Sequence, residues 1–171
     1  MQTATKKILT LDELSVKAKG YRDSGKKVVL CHGIFDLIHA GHIRYLKSAR
    51  DEGDVLFVTV TADEFVNKGP GRPVFSQELR AENLGYLSFV DFVAVNNAAT
   101  AVNVLSEIRP HAYVKGPDYK KMEDDITGGI YAEKKTVEAH GGKIVFTDDI
   151  TFSSTSLLNE HFGVFPPETK D

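Results

Sequence analysis

The chain is predicted to be an α/β protein with a single Rossmann-like domain, an open parallel five-stranded sheet and helices on both faces. Three observations predict this class. Short apolar runs alternate with segments of helical spacing. The run 55–60 is β-branched and uncharged, as expected of a strand that is covered on both faces. Breaker residues separate the elements, and strands joined through helices form right-handed crossovers in a parallel sheet.

The elements follow in order from these patterns. Thr10 and Glu13 resemble a capping box that opens an amphipathic helix toward Asp23, and Gly25 precedes the first strand. Pro110 ends the helix that begins near Thr100. The predicted strands are 28–31, 55–60, 92–95, 112–114 and 143–146. The predicted helices are 10–23, 43–50, 76–87, 100–108, 130–140 and 154–161.

Length and composition predict one compact domain at 9–162, with a flexible N-terminus at 1–8 and a flexible C-terminal tail at 163–171. The net charge of −3 gives no global attraction for nucleic acid or an anionic membrane, so neither is an expected partner. No run of about 18 apolar residues is present, and the first residues lack the apolar core of a secretion signal. A single cysteine, Cys31, fits a reducing cytoplasm, and its place in a strand indicates a small buried hydrophobe.

The segment from Gly33 to His42 leads from the first strand into a helix and contains two histidines, His39 and His42. Residues three apart share a helix face, so both imidazoles point at one spot beside the first turn. That turn has amides without intrahelical partners and the positive end of the helix dipole, which together favour a polyphosphate. Gly33 and Gly41 allow close approach of a ligand to the main chain. The alternatives are a histidine pair that merely caps the helix, and a metal site, for which a third ligand is missing.

Two cations, Lys68 and Arg72, flank the sequence Gly-Pro-Gly in a loop after the second strand. Such a loop either closes over an anionic substrate and offsets charge in the transition state, or is a solvated turn. Arg80 lies on the following helix, where it pairs with a carboxylate or with phosphate. Asp36 either orients a neighbouring group or helps to bind Mg²⁺ through water.

The segment from Gly33 to His42 resembles the HxGH signature of the cytidylyltransferase-like nucleotidyltransferase superfamily. Three later segments occur in the order and spacing of that superfamily: 68–74, 114–119 and 153–158. They are most similar to the adenylyltransferase domains of bifunctional ADP-heptose synthases, and next to glycerol-3-phosphate cytidylyltransferases. Two departures from these relatives stand out. The cytidylyltransferases have an arginine shortly before the serine-rich segment, which this chain lacks, as the heptose-type domains also do. The stretch 120–130 is longer than in the heptose-type domains.

The resemblance implies roles for individual residues. The catalytic set is His39, His42, Lys68 and Arg72, and Asp36 and Arg80 are expected to bind the acceptor substrate. The nucleotide-binding set comprises Gly33, Ile34, Phe35, Gly41, Lys115, Gly116, Asp118, Ser154 and Thr155. Without the resemblance, the serine-rich segment is an ordinary helix cap and the Gly-Pro-Asp sequence an ordinary turn. Mg²⁺ is expected to arrive with the nucleotide, with no metal site built by the protein alone.

The expected function is transfer of a nucleoside monophosphate from ATP or CTP to a sugar- or polyol-phosphate, with release of pyrophosphate. Such a product is an activated sugar for cell-surface carbohydrate synthesis, and the resemblance favours ATP. It also implies a homodimer and leaves a sugar kinase open as a partner. The alternative is a nucleotide-sensing module that binds a nucleotide but does not catalyse its turnover. The joint presence of both histidines and the cationic loop speaks against this alternative.

Overall fold

The computed structural model describes residues 4–120 and 128–148. The strands are β1 (Ile8–Leu9), β2 (Val28–Gly33), β3 (Val55–Thr61), β4 (Phe92–Asn96), β5 (Ala112–Lys115) and β6 (Lys143–Phe146). The helices are α1 (Leu11–Asp23), α2 (Ala40–Arg50), α3 (Gln77–Gly85), α4 (Val102–Ile108) and α5 (Gly129–Ala139). Single turns of 3₁₀ helix occur at Ala4–Lys7, Asp63–Phe65 and Pro117–Tyr119. No helix in these two ranges has the length and apolar character needed to cross a bilayer.

The strands form one parallel sheet in the order β1-β4-β3-β2-β5-β6. The chain moves from β2 through β3 to β4 on one side, and then returns to place β5 and β6 on the other side of β2. This reversal creates a crevice outside the carboxyl ends of β2 and β5, which is where open α/β sheets bind ligands. Gly33 at the end of β2 is in register with Val60 of β3, and Cys31 with Val114 of β5.

Two apolar cores lie on opposite faces of the sheet. On one face α2 and α3 contribute Leu46 and Leu84, which are fully buried. On the other face α1, α4 and α5 contribute Leu14, Leu105 and Val137. The predicted α/β class with helices on both faces of a parallel sheet is therefore confirmed.

The prediction of five strands was wrong, because the described residues form six. The additional strand is β1, in which Ile8 and Leu9 pair with Val93 and Ala94 at the edge of the sheet. The turn before it is anchored by Lys7, whose Nζ donates to the carbonyl of Val90 at 2.7 Å. A two-residue strand has no periodicity to detect, and its partner is more than 80 residues away in the chain. Residues 4–8, within the segment that we expected to be flexible, are consequently part of the described fold.

The predicted capping box at the start of α1 is confirmed. The Thr10 hydroxyl accepts from the Glu13 amide at 3.2 Å, and the Glu13 carboxylate accepts from the Thr10 amide at 2.8 Å. Reciprocal bonds of this kind satisfy amides that the first helical turn leaves without partners. The predicted helix at 154–161 and the tail at 163–171 lie outside the described residues.

Candidate active site

The two histidines meet at the start of α2. His39 is the N-cap of this helix, with φ −133° and ψ 175°, and its Nδ1 accepts from the His42 amide at 3.4 Å. Capping is therefore one role of His39. Because Nδ1 accepts a hydrogen bond, the proton of the neutral ring resides on Nε2, which makes Nε2 a donor.

The imidazole rings of His39 and His42 stack on one another. Their centroids are 3.9 Å apart and their planes differ by 23°. The ring of Phe35 meets His42 edge-on at a centroid distance of 5.4 Å. Both histidines are partly exposed at the carboxyl edge of the sheet, beside the positive end of the α2 dipole. The structure thus brings together the two groups that the sequence predicted to converge.

Both histidines are neutral near pH 7. Burial, together with nearby His39 and Lys68, lowers the pKa of His42 to about 4, whereas the Leu37 backbone acts in the opposite direction. Burial also lowers the pKa of His39. The buried Nδ1 of His42 makes no hydrogen bond within the part of the chain that the structure describes. Such an atom is costly to leave unsatisfied, and an incoming ligand or water is a natural partner for it.

Lys68 lies in the loop between β3 and α3, close enough to His42 for its charge to depress the histidine's pKa. Gly69 and Gly71, which follow it, have φ values of 91° and 74°. These left-handed conformations favour glycine and shape the loop that carries the lysine. Lys68 thus acts electrostatically on the histidine pair, and the catalytic roles of Lys68, His39 and His42 remain predictions.

Asp36 and Arg72 form a buried ion pair instead of facing a substrate. Arg72 Nε donates to Asp36 Oδ2 at 2.6 Å, and both side chains are only 2% exposed. The amides of Val74 and Phe75 donate to the same carboxylate at 2.8 and 3.0 Å. Burial raises the pKa of Asp36, but the Phe75 and Val74 amides and Arg72 outweigh that effect, so the pKa lies below its ordinary value. The geometry supports a clamp on the loop after Lys68 and does not support the predicted catalytic role of Arg72 or substrate-binding role of Asp36.

Arg80 is also a structural residue in this geometry. Its side chain is fully buried, and its guanidinium donates to the Asp63 carboxylate at 2.6 Å. It also donates to the carbonyls of Ile34 at 2.5 Å, Thr61 at 2.7 Å and Phe75 at 3.0 Å. We therefore replace the predicted substrate contact of Arg80 with a positioning role, in which it joins the ends of β2 and β3 to the start of α3.

The glycine at the end of β2 has a packing role, and its predicted contact with a nucleotide stays a prediction. Gly33 does not have a positive φ, whereas Phe35, two residues later, has a φ of 51°. A Cβ on Gly33 would lie 3.1 Å from the Phe35 ring, so glycine makes room for that ring. Phe35 is 5% exposed and packs in the core, and Gly41 is buried in the first turn of α2. Any contact of Phe35 or Gly41 with a nucleotide would consequently involve the main chain.

Lys115 ends β5 on the other side of the crevice, and its side chain is buried. Its Nζ lies 3.6 Å from Glu133 Oε2, 3.2 Å from the Tyr113 hydroxyl and 4.3 Å from the centroid of the Tyr119 ring. Gly116 begins the turn that carries Tyr119, which is 45% exposed. The predicted roles of the Asp118 side chain, Ser154 and Thr155 lie outside the described residues.

Sequence reasoning missed Glu133 and His32. Glu133 lies on the buried face of α5, and the one available signal was a charged residue in the apolar stripe between Ile130 and Val137. His32 is buried at the end of β2, where its Nδ1 is 2.9 Å from the Thr59 hydroxyl. Burial, together with Lys115, lowers the pKa of His32 to about 4.

The opposite edge of the sheet holds a basic pocket of about 280 Å³. Its guanidinium groups are used by helix ends: Arg22 donates to the Ile108 carbonyl, and Arg109 to the Ser106 carbonyl at 3.2 Å. Cations commonly satisfy the last carbonyls of helices in this way. The pocket is therefore not the candidate active site.

Comparison with known proteins decides the family. The cytidylyltransferase-like family model matches residues 30–159, which include the histidine segment and most of the sheet. The chain belongs to the cytidylyltransferase-like family. This membership confirms the nucleotidyltransferase activity class and the superfamily predicted from the motifs.

Curated relatives with similar sequences are bifunctional proteins named HldE. The chain is 39% identical over 154 residues to HldE from Methylobacillus flagellatus, and 37% identical over 155 residues to HldE from Pseudomonas fluorescens. These alignments cover 89% and 90% of this chain but only 30% and 31% of the relatives. The chain thus spans about a third of the length of the curated relatives it matches.

Two solved structures share the fold. A lipopolysaccharide core biosynthesis protein from Thermoplasma volcanium has a TM-score of 0.61 and 26% identity, and the match covers 74% of this chain and all of that one. A pantoate-beta-alanine ligase from Francisella tularensis, complexed with beta-gamma ATP and beta-alanine, has a TM-score of 0.57 and 15% identity. The match to the ligase covers 88% of this chain and 74% of that one, and it shows the fold alone.

Proposed function

We propose that this cytidylyltransferase-like domain transfers a nucleoside monophosphate from ATP or CTP to a sugar- or polyol-phosphate, and that pyrophosphate is released. The single observation that supports this proposal most strongly is the stacked pair His39–His42 at the α2 start, beside Lys68. The similarity to HldE proteins and to a lipopolysaccharide core biosynthesis protein supports sugar activation for cell-surface carbohydrate synthesis. We favour ATP on the same likeness.

In this mechanism an oxygen of the acceptor phosphate attacks the α-phosphorus of the nucleotide in line. The new P–O bond forms as the bond to pyrophosphate breaks, so no covalent intermediate with the protein is required. A phosphate is already a competent nucleophile, and catalysis consists of positioning and charge stabilisation. The neutral rings of His39 and His42 donate N–H bonds to phosphate oxygens, and Lys68 offsets the charge that grows on the departing pyrophosphate.

Mg²⁺ is proposed to bind with the nucleotide. Within residues 4–120 and 128–148, no group of three or more His, Cys, Asp and Glu side chains is arranged to hold a metal ion. An ion that arrives with the nucleotide would be held mainly by the phosphates and would neutralise their charge. The homodimer and the sugar kinase partner also remain proposals from the family resemblance.

The test is a matrix of substrates. The protein is incubated with each of the four nucleoside triphosphates, Mg²⁺ and a panel of sugar and polyol phosphates, and pyrophosphate release is measured. Release that requires one triphosphate and one acceptor supports the proposal and identifies both. Nucleotide binding without release for any pair would contradict it and favour a nucleotide-sensing module.

A further inference from the structure

Glu133 is a buried carboxylate at a position that helical packing reserves for an apolar side chain. It lies on α5 between Ile130 and Val137, and its side chain is 7% exposed. Charged groups are rarely buried in this way unless they are paired and hydrogen-bonded.

Both oxygens of Glu133 are engaged, and each links α5 to a different element. Oε1 accepts from the Ala101 amide at the start of α4, at 2.9 Å. Oε2 accepts from the Tyr113 hydroxyl of β5 at 2.8 Å and lies 3.6 Å from the Lys115 ammonium. The Tyr113 hydroxyl in turn accepts from Lys115 at 3.2 Å, so it connects the two charges.

Lys115 extends this network to the surface of the crevice. Its ammonium lies 4.3 Å from the centroid of the Tyr119 ring, within the range of a cation–π interaction. Tyr119 belongs to the turn after β5 and is 45% exposed. A displacement of the lysine would therefore remove its contact with the Tyr119 ring and change the position of this turn.

Stability alone is a weak reason for such a network. Well-packed apolar side chains of similar volume commonly stabilise a core as well as, or better than, a buried ion pair. Removal of one partner, by contrast, leaves an uncompensated buried charge, which moves or takes up water. The network holds α4, α5 and β5 in one arrangement at the point where the sheet reverses strand order, beside the carboxyl end of β5.

We propose that Glu133 is a positioning residue of the nucleotide site, which holds the Lys115 ammonium against Tyr119 so that the turn after β5 is ready to contact a bound nucleotide. The inference rests on the proposed function and on the nucleotide-binding role that the family resemblance implies for Lys115 and Gly116. Glu133 acts through Lys115 and does not itself touch the substrate.

The first test compares Glu133→Gln with the matched control Glu138→Gln on the exposed face of the same helix. Glutamine keeps the size of Glu133 but removes the charge that balances Lys115. Dissociation constants are measured for MgATP and, in a parallel arm, MgCTP, with circular dichroism melting curves and steady-state kinetics for every variant. We expect Glu133→Gln to weaken nucleotide binding and raise its KM by about tenfold, with kcat within about threefold of the parent. Glu138→Gln is expected to match the parent.

A second pair of variants separates positioning from general stability. Tyr113→Phe deletes one oxygen atom and preserves packing, and it is expected to weaken binding by about threefold even if Glu133→Gln folds poorly. In a Lys115→Met background, Glu133→Gln is expected to add little, because residues that act through one another are not additive.

The outcomes distinguish the two proposals. If the parent binds neither MgATP nor MgCTP, the proposed function fails, and this inference fails with it. If the parent binds nucleotide but Glu133→Gln and Tyr113→Phe bind equally well, or if the Lys115 and Glu133 effects multiply independently, only the role of Glu133 is overturned. A lowered melting temperature with unchanged affinity would mean that Glu133 is purely structural.

Discussion

At the scale of single residues, the proposed chemistry depends most directly on His42. Its ring stacks on His39, contacts Phe35 and has a buried Nδ1 that no described residue satisfies. In the proposed mechanism this neutral imidazole donates a hydrogen bond to a phosphate oxygen. Preorganised donors of this kind account for much of the rate enhancement in charge-stabilising active sites.

We expect His42→Ala to lower turnover by about a hundredfold or more while the fold is retained. The measurement is the rate of pyrophosphate release with the preferred substrate pair, alongside a circular dichroism spectrum. His140→Ala is the control, because His140 is exposed at the end of α5, near the opposite edge of the sheet. Unchanged turnover in His42→Ala would remove this residue from the mechanism.

Cys31 illustrates a residue that the interior makes inert. It is fully buried, and burial raises the pKa of its thiol to about 12. This confirms its interpretation as a small buried hydrophobe. Because the thiolate is the reactive form, we expect no labelling of the native protein by a thiol-specific disulfide reagent at pH 8, and one labelled thiol per chain after denaturation in urea. Rapid labelling of the folded protein would contradict this burial.

At the scale of elements, the loop between β3 and α3 is held from two sides. The Asp36 carboxylate accepts hydrogen bonds from the Arg72 side chain and from the amides of Val74 and Phe75 in this loop. The Arg80 guanidinium donates to Thr61 and Asp63 at the start of the loop. It also donates to the carbonyl of Phe75 at the end of the loop, and to the carbonyl of Ile34 beyond β2. The loop that carries Lys68 is therefore fixed to the same segment that carries the histidines.

Arg80→Lys is expected to lower the free energy of unfolding by about 3 kcal/mol, because an ammonium group cannot reproduce the guanidinium fork and would leave buried acceptors unsatisfied. Urea denaturation followed by circular dichroism measures this loss. Arg44→Lys, at an exposed position of α2, is the control and is expected to lie within about 0.5 kcal/mol of the parent. Equal stability of the two variants would show that the guanidinium bonds are not needed.

At the scale of the whole molecule, two histidines with lowered pKa values link folding to pH. His32 and His42 each have a pKa of about 4 in the folded protein, compared with 6.5 for the ordinary side chain. Between these values the unfolded chain binds more protons than the native state, so protonation favours unfolding. The contribution of the two neutral histidines to the free energy of unfolding is therefore fully present above pH 6.5, and it is lost as the pH drops toward 4.

For buried His32 this loss is on the order of 3 kcal/mol across that window. We expect His32→Asn to flatten the dependence of the unfolding free energy on pH, whatever its effect on stability at pH 7. Urea denaturation at half-unit steps from pH 4 to pH 8 provides the measurement, with His140→Asn as the exposed control. Parallel curves for His32→Asn and the parent would contradict the burial of a neutral imidazole at this site.

The pattern along the chain determined a good deal by itself. The positions of α1 and of β2 to β6, the Thr10–Glu13 capping box and the meeting of His39 with His42 all depend on residues a few positions apart. Spacings of two, three or four residues dictate which side chains share a face, so these features are readable without coordinates. The family followed from the histidine segment together with three later segments in the expected order and spacing.

Only the tertiary structure decided which distant groups are partners. The sixth strand, the Asp36–Arg72 and Arg80–Asp63 pairs and the Glu133 network each join segments that are separated in the chain. The sequence of a motif is the same whether its arginine or lysine faces a substrate or a buried carboxylate. The difference lies in which helix crosses which strand, and it is fixed by packing across the sheet and not by local periodicity.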